Sequence, residues 1–140
     1  MKDNTSRPLS QHGSQIHIAC FCNAAEFILD AVSSVKRQEY TDYEIIIVDD
    51  GSTDESEEIA KGFVDNYDHV FFIASNMGNN KGACAARNNG LALAKSDWIQ
   101  FLDADDILHK NKIELQIKTM LIEESEISFT PWVNFTSTIE

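Results

Sequence analysis

Two short apolar runs end abruptly in carboxylates. Ile45-Ile46-Ile47-Val48 passes straight into Asp49-Asp50-Gly51-Ser52, and Ile99-Gln100-Phe101-Leu102 passes into Asp103-Ala104-Asp105-Asp106. A brief apolar run bounded by turn residues reads as a strand buried on both faces, the kind found in parallel sheets. In such sheets ligands bind beyond the carboxyl ends of the strands. Three carboxylates within the four residues Asp103 to Asp106 repel one another unless something positive joins them. A divalent cation that prefers oxygen is the natural partner.

The remaining chain supplies the elements that a parallel sheet requires. Residues 16–22 read as a first strand, followed by Asn23 at a helix N-cap position. Residues 24–38 place Phe27, Ile28, Ala31, Val32 and Val35 on one helical face. Residues 44–48 form the second strand, which Gly51 ends, and Ser52 with Glu55 spells a capping box for a helix running to about Asn66. The acids Asp54, Glu55, Glu57 and Glu58 in its first turn read as a solvated face suited to the helix dipole. A third strand is expected over 69–74, a polar loop over 75–82, and a helix over 82–94 whose small residues Ala83, Cys84, Ala85 and Ala86 allow close approach to a sheet. Asn89-Gly90 is poor for a helix interior, so packing must hold it there. A fourth strand (97–102), a fourth helix (110–124) and the start of a further strand (Ile127 to Thr130) follow. The order is therefore β-α-β-α-β-α-β-α-β, an α/β fold with a mostly parallel sheet and helices on both faces. Residues 1–15 read as a disordered polar tail and 16–140 as a single domain.

Charge and cysteine content narrow the partners. A net charge of -12 disfavours nucleic acid and anionic lipid. It is compatible with a phosphate ligand held through a metal, because the metal brings the positive charge. Cys20, Cys22 and Cys84 have no zinc-like spacing and read as structural thiols of a reducing compartment. No apolar run reaches the ~18 residues of a membrane span. His17, Trp98 and Trp132 read as packed or edge side chains. Trp132, if left uncovered, would favour self-association.

Either acid pair alone is ambiguous, since a D-x-D can be a solvated turn. Found together at equivalent strand ends, they point to one ligand crevice. At this point the residues resemble a known family. Ile46-Ile47-Val48-Asp49-Asp50-Gly51-Ser52-Thr53-Asp54 is similar to the nucleotide-sugar-binding segment of family 2 glycosyltransferases with the GT-A fold. Gly82-Ala83-Cys84-Ala85-Ala86-Arg87-Asn88-Asn89-Gly90 resembles the family's A-R-N-x-G segment, and Phe101-Leu102-Asp103-Ala104-Asp105-Asp106 its D-x-D motif. Asn23 with Phe27 and Ile28, Asp42-Tyr43-Glu44, and Asn76 with Gly78 fit the same pattern, and the likeness covers about residues 15 to 130.

The resemblance implies a Rossmann-like GT-A nucleotide-binding core, incomplete at its C-terminus. It implies a metal-dependent inverting transfer of a sugar from a nucleoside-diphosphate sugar, a UDP-sugar first, to a hydroxyl of a saccharide or lipid-linked acceptor. The expected setting is cytoplasmic, or peripheral at the inner face of the membrane, in surface polysaccharide assembly. By position, Asp49 and Asp50 would lie at the base, with Asp50 beside the uracil imide. Asp103 would face the ribose or the metal shell, and Asp105 would ligate Mn²⁺ or Mg²⁺, with Asp106 as a helix cap. Arg87 would approach the nucleotide sugar or brace the acids, while Asn88 and Gly90 would shape the loop. The family carries Pro or Thr, any residue, and then Tyr or His before the Asn. Cys20, Phe21 and Cys22 stand there instead, so Cys20 and Cys22 flank the expected base site in place of an aromatic. No general base is assigned: Glu114, Glu123, Glu124 and Glu126 fall on or just after the fourth helix and read as solvated. The expectation is a donor-binding half that stops before the acceptor half.

Three other readings are weaker. The D-x-D-x-I run resembles the nucleophile motif of haloacid-dehalogenase-type phosphatases. The 34 residues after Asp106 are too few for that domain's remaining strands. Val48-Asp49-Asp50 resembles the acid pair of receiver domains, but the strand at 69–74 ends without an Asp, and no Lys follows Ile127. A non-catalytic nucleotide-sugar-binding module would bind the donor without transfer.

Overall fold

The computed structural model describes residues 15–74 and 78–131, with side chains from residue 21 onward. Four parallel strands, β1 (Gln15–Phe21), β2 (Tyr43–Asp49), β3 (Val70–Ala74) and β4 (Trp98–Asp103), form one sheet in the order β3-β2-β1-β4. The helices are α1 (Ile28–Lys36), α2 (Ser56–Asn66), α3 (Ala83–Leu93) and α4 (Lys112–Ile122).

The unbroken apolar run in β2 follows from burial on both faces. Ile45 and Ile47 point into the larger core with Val32, Val35, Ala60, Phe63, Ile113 and Ile117. Ile46 and Val48 point the other way, against Ala86 of α3. Helices α1, α2 and α4 thus share one face and α3 covers the other. Of the small residues early in α3, Ala86 is the one that packs on the sheet, and Gly90 one turn later is buried beside it. A glycine inside a helix costs about 1 kcal/mol, and Gly90 takes that position on the buried side of α3. Ala83 and Cys84 face out.

The register brings the acid-bearing ends together. Cys20 of β1 pairs with Val48 on one side and with Asp103 on the other. Asp49 and Asp103 therefore end strands that flank β1, about 10 Å apart across two strand spacings. Chain order reverses between β1 and β4, which is where such sheets open a ligand crevice.

Several expected boundaries shift. Gln15 belongs to β1 rather than to a tail. Helix α1 begins at Ile28, with Phe27 at the N-cap, so Asn23 does not cap it. The expected Ser52–Glu55 capping box is not formed, and Glu55 stands at the α2 N-cap without a side-chain bond. Helix α4 starts after Asn111, so Asp106 caps no helix. Ile127 to Thr130 pairs with no strand among the described residues, and Ile127 and Phe129 are exposed. The expectations for residues 1–14, Asn76 and Trp132, and for the side chains of His17 and Cys20, lie outside the described residues.

Candidate functional site

Strand alternation gives the two adjacent acids different neighbours. Asp49 follows Ile45 and Ile47 toward the α1/α2 side and is buried. Its Oδ1 accepts from the backbone N–H of Ser52 at 2.9 Å and from the Ser52 hydroxyl at 2.6 Å. Asp49 Oδ2 is buried with no hydrogen-bond partner among the described residues. Asp50, also buried, reaches the start of α3. Its Oδ2 accepts from Gly82 N–H at 2.7 Å, and its Oδ1 from Lys81 N–H at 3.0 Å. A carboxylate at a helix N-terminus satisfies orphan amides and complements the dipole. Gly51 makes the immediate turn possible with φ of 80°, a region that side chains disfavour.

The second acid cluster is built differently. Asp103 ends β4, and its Oδ1 lies 2.6 Å from Arg87 Nη2 on α3. The same guanidinium stands 6.0 Å from the centre of the Phe101 ring. Asp105 and Asp106 occupy the exposed turn that follows. Partial desolvation pushes the Asp106 carboxyl above its ordinary range, the charges of Asp105 and Asp103 push the same way, and Lys112 opposes them. Desolvation lowers the Lys112 ammonium, which donates to Gln100 Oε1 at 2.7 Å and Gln116 Oε1 at 2.5 Å. The segment after the acids is bolted to α1. Leu108 N–H donates to the buried Ser34 hydroxyl at 3.0 Å, and Gln38 Nε2 donates to the His109 carbonyl at 2.9 Å.

No three acid, His or Cys side chains converge as a metal cage among the described residues. At the β4 end Asp103 is paired with Arg87, and Asp105, two residues on, is exposed.

The structure thus brings Asp50, Arg87 and Asp103 around the end of β1, through the start and first turns of α3. Cys22, half-buried and unbridged, lies just past that strand end. Cys84 is an exposed thiol. Glu114 pairs with Lys118 at 2.6 Å, and Glu123, Glu124 and Glu126 face solvent. Sequence reasoning missed the contacts of Asn23, Ser52, Asp54 and Ser56. Asn23 has φ of 50°, and its Oδ1 accepts from Thr53 N–H at 2.8 Å. The signal was a run of Ser, Thr and Asp after a turn glycine, residues that bond nearby backbone as readily as they cap helices.

A parallel sheet whose order reverses beside acid-bearing strand ends, with a helix start held by one of those acids, defines a Rossmann-like α/β domain with a ligand crevice at its switch point. The sequence matches Glycosyl transferase family 2 over residues 17–137, and the chain belongs to that family. It is 38% identical over 110 residues to the putative teichuronic acid biosynthesis glycosyltransferase TuaG of Bacillus subtilis, covering 77% of this chain and 42% of that protein. The chain spans about two fifths or less of the length of the curated relatives it matches. S. aureus TarS 1–349, solved in complex with UDP-GlcNAc, superposes with a TM-score of 0.63 at 25% identity, over 79% of this chain and 31% of that one. The mannosyltransferase PcManGT from Pyrobaculum calidifontis, solved with GDP-Man and Mn²⁺, gives a TM-score of 0.67 at 19% identity, over 76% of this chain and 32% of that one. These glycosyltransferases share the GT-A fold with this chain. No helix among the described residues is long and apolar enough to cross a membrane.

Proposed function

We propose that this chain is the donor-binding part of an inverting, metal-dependent glycosyltransferase that takes a UDP-sugar. The observation that carries the reading is the placement of Asp50 and of Asp103–Asp105 on either side of the β1 end, at the reversal of a family 2 sheet. Asp50, fixed by the amides of residues 81 and 82, keeps carboxylate lone pairs for a base imide. Asp103 takes the ribose or the metal shell, and Asp105 supplies the metal carboxylate for Mn²⁺ or Mg²⁺. The metal supplies charge neutralisation to the departing diphosphate. The acceptor oxygen forms its bond to the anomeric carbon as the bond to the diphosphate oxygen breaks, and its proton passes to a base. Opposite-face attack inverts that centre. Arg87 holds Asp103 and places positive charge near the diphosphate. The complex of TarS with UDP-GlcNAc supports UDP as the first nucleotide to test. The name of TuaG, a putative teichuronic acid biosynthesis glycosyltransferase, supports a saccharide or lipid-linked acceptor.

Calorimetry with UDP, GDP and dTDP, with and without Mn²⁺, tests the donor site. UDP should bind in a Mn²⁺-dependent way, and Asp105→Ala should weaken it at least about tenfold, or 1.4 kcal/mol. Failure of all three nucleotides to bind with metal present would sink the reading. Release of free sugar from the donor, or its transfer, separates an enzyme from a binding module.

A further inference from the structure

We propose that Asn23, clamped to Ser52 and Thr53, is a positioning residue for the base end of the nucleotide site; this rests on the donor-site reading above. The loop after β1 and the loop after β2 are stitched together by side chains that reach across. Asn23 N–H donates to the Ser52 hydroxyl at 2.9 Å, and that hydroxyl donates to the buried Asp49 Oδ1 at 2.6 Å. In return, Thr53 N–H donates to Asn23 Oδ1 at 2.8 Å. Ala24 N–H donates to the buried Ser56 hydroxyl at 2.9 Å, and Ala25 N–H to Asp54 Oδ2 at 3.2 Å.

The clamp holds costly conformations. Asn23 sits at φ of 50°, a left-handed conformation that Asn tolerates better than most residues. Asp49 is 1% exposed, with Oδ2 unpartnered. A buried carboxylate oxygen without a partner carries a desolvation penalty that ordinary packing does not require. Strain and unmet polar capacity held in one place fit a site where geometry matters more than local stability. The geometry it fixes is next to the acids. Asp50 N–H donates to the Phe21 carbonyl at 2.9 Å, so Phe21, Cys22 and Asn23 are pinned on both sides of the Asp50 backbone. Cys22, the residue between, is half-buried just past the end of β1. If the clamp opens, the loop after β1 moves relative to Asp50, while Asp103 keeps its pair with Arg87 and the chain beyond Asp106 keeps its bond from Leu108 N–H to the Ser34 hydroxyl.

The test uses the full 140-residue chain. Asn23→Gly keeps the backbone conformation accessible and deletes the acceptor, whereas Asn23→Asp keeps both. Affinity is measured by calorimetry for UDP with Mn²⁺ and, by competition, for inorganic pyrophosphate with Mg²⁺, which reaches only the Asp103–Asp105 end. Circular dichroism melts identify temperatures at which every variant is folded. Asn23→Gly should weaken UDP about tenfold, leave pyrophosphate within about twofold of wild type, and be rescued by Asn23→Asp. Unchanged UDP affinity overturns the proposal, and so does equal weakening of both ligands, which marks a purely structural role. If the wild type itself binds neither UDP nor pyrophosphate, the donor-site reading fails first.

Discussion

Arg87 and Asp103 meet at 2.6 Å with side chains 35% and 54% exposed. An ion pair that wet contributes about 0–1 kcal/mol. Arg87→Met should therefore move the thermal midpoint by only a few degrees, as expected for about 1 kcal/mol in a domain of this size. If the guanidinium serves the nucleotide, UDP affinity with Mn²⁺ should fall about tenfold in the same variant, a loss of 1.4 kcal/mol. A melt and a titration on one preparation check both. The acids themselves were legible in the sequence because a carboxylate cluster at the end of an apolar run is abnormal. The different surroundings of Asp49 and Asp50 were not. Their contacts depend on which face each residue takes at the strand end and on what lies there: Ser52 in one case, the amides that open α3 in the other.

At the scale of the element, helix and strand type followed from periodicity, whereas the termini depended on competition across the fold. Ser52 has the chemistry of an N-cap but is taken by Asp49, and Asn23 is taken by Thr53. Neither partner is a helix-end amide of the kind a local capping rule considers. Ile127 to Thr130 has strand-like composition, but a strand needs a neighbour, and none pairs with it among the described residues. The α2 end is secured instead by Asp54, whose Oδ1 accepts from Ser56 N–H at 3.0 Å. Desolvation, the largest single influence, opposes ionisation there. The hydrogen bonds from Ser56, Ala25 and its own backbone together outweigh it and hold the carboxyl below its ordinary value. A depressed folded-state value means the stabilisation is present above the ordinary carboxylate range and is lost as pH falls through the folded value. Asp54→Ala should thus melt below wild type at pH 7, by an amount in keeping with a lost cap of about 1 kcal/mol at most. The gap should close as pH drops below the usual Asp value of 3.8. Paired melts from pH 7 to pH 3 measure it, and a gap that persists in acid would assign the effect to packing.

For the whole molecule, the pattern of elements implied a parallel sheet, but the order β3-β2-β1-β4 and the uneven cover, three helices on one face and α3 on the other, arise from packing that no single segment encodes. Charge is the other property that only the whole chain carries. The net charge of -12 is concentrated in part at two places, the start of α2 and the turn at Asp103 to Asp106. Among the described residues the ion pairs Lys61–Glu57, Lys110–Glu39, Lys118–Glu114 and Arg87–Asp103 are all substantially exposed, so each contributes little. Self-repulsion of the folded state should then outweigh local attraction. At about 10 mM ionic strength the screening length is roughly 30 Å, comparable to the domain, and at 150 mM it is about 8 Å, shorter than most separations between like charges. Added NaCl should accordingly raise the thermal midpoint between those two concentrations. Scanning calorimetry at pH 7 reads the effect. A midpoint that falls instead would mean that the four surface pairs together contribute more than the repulsion they sit in.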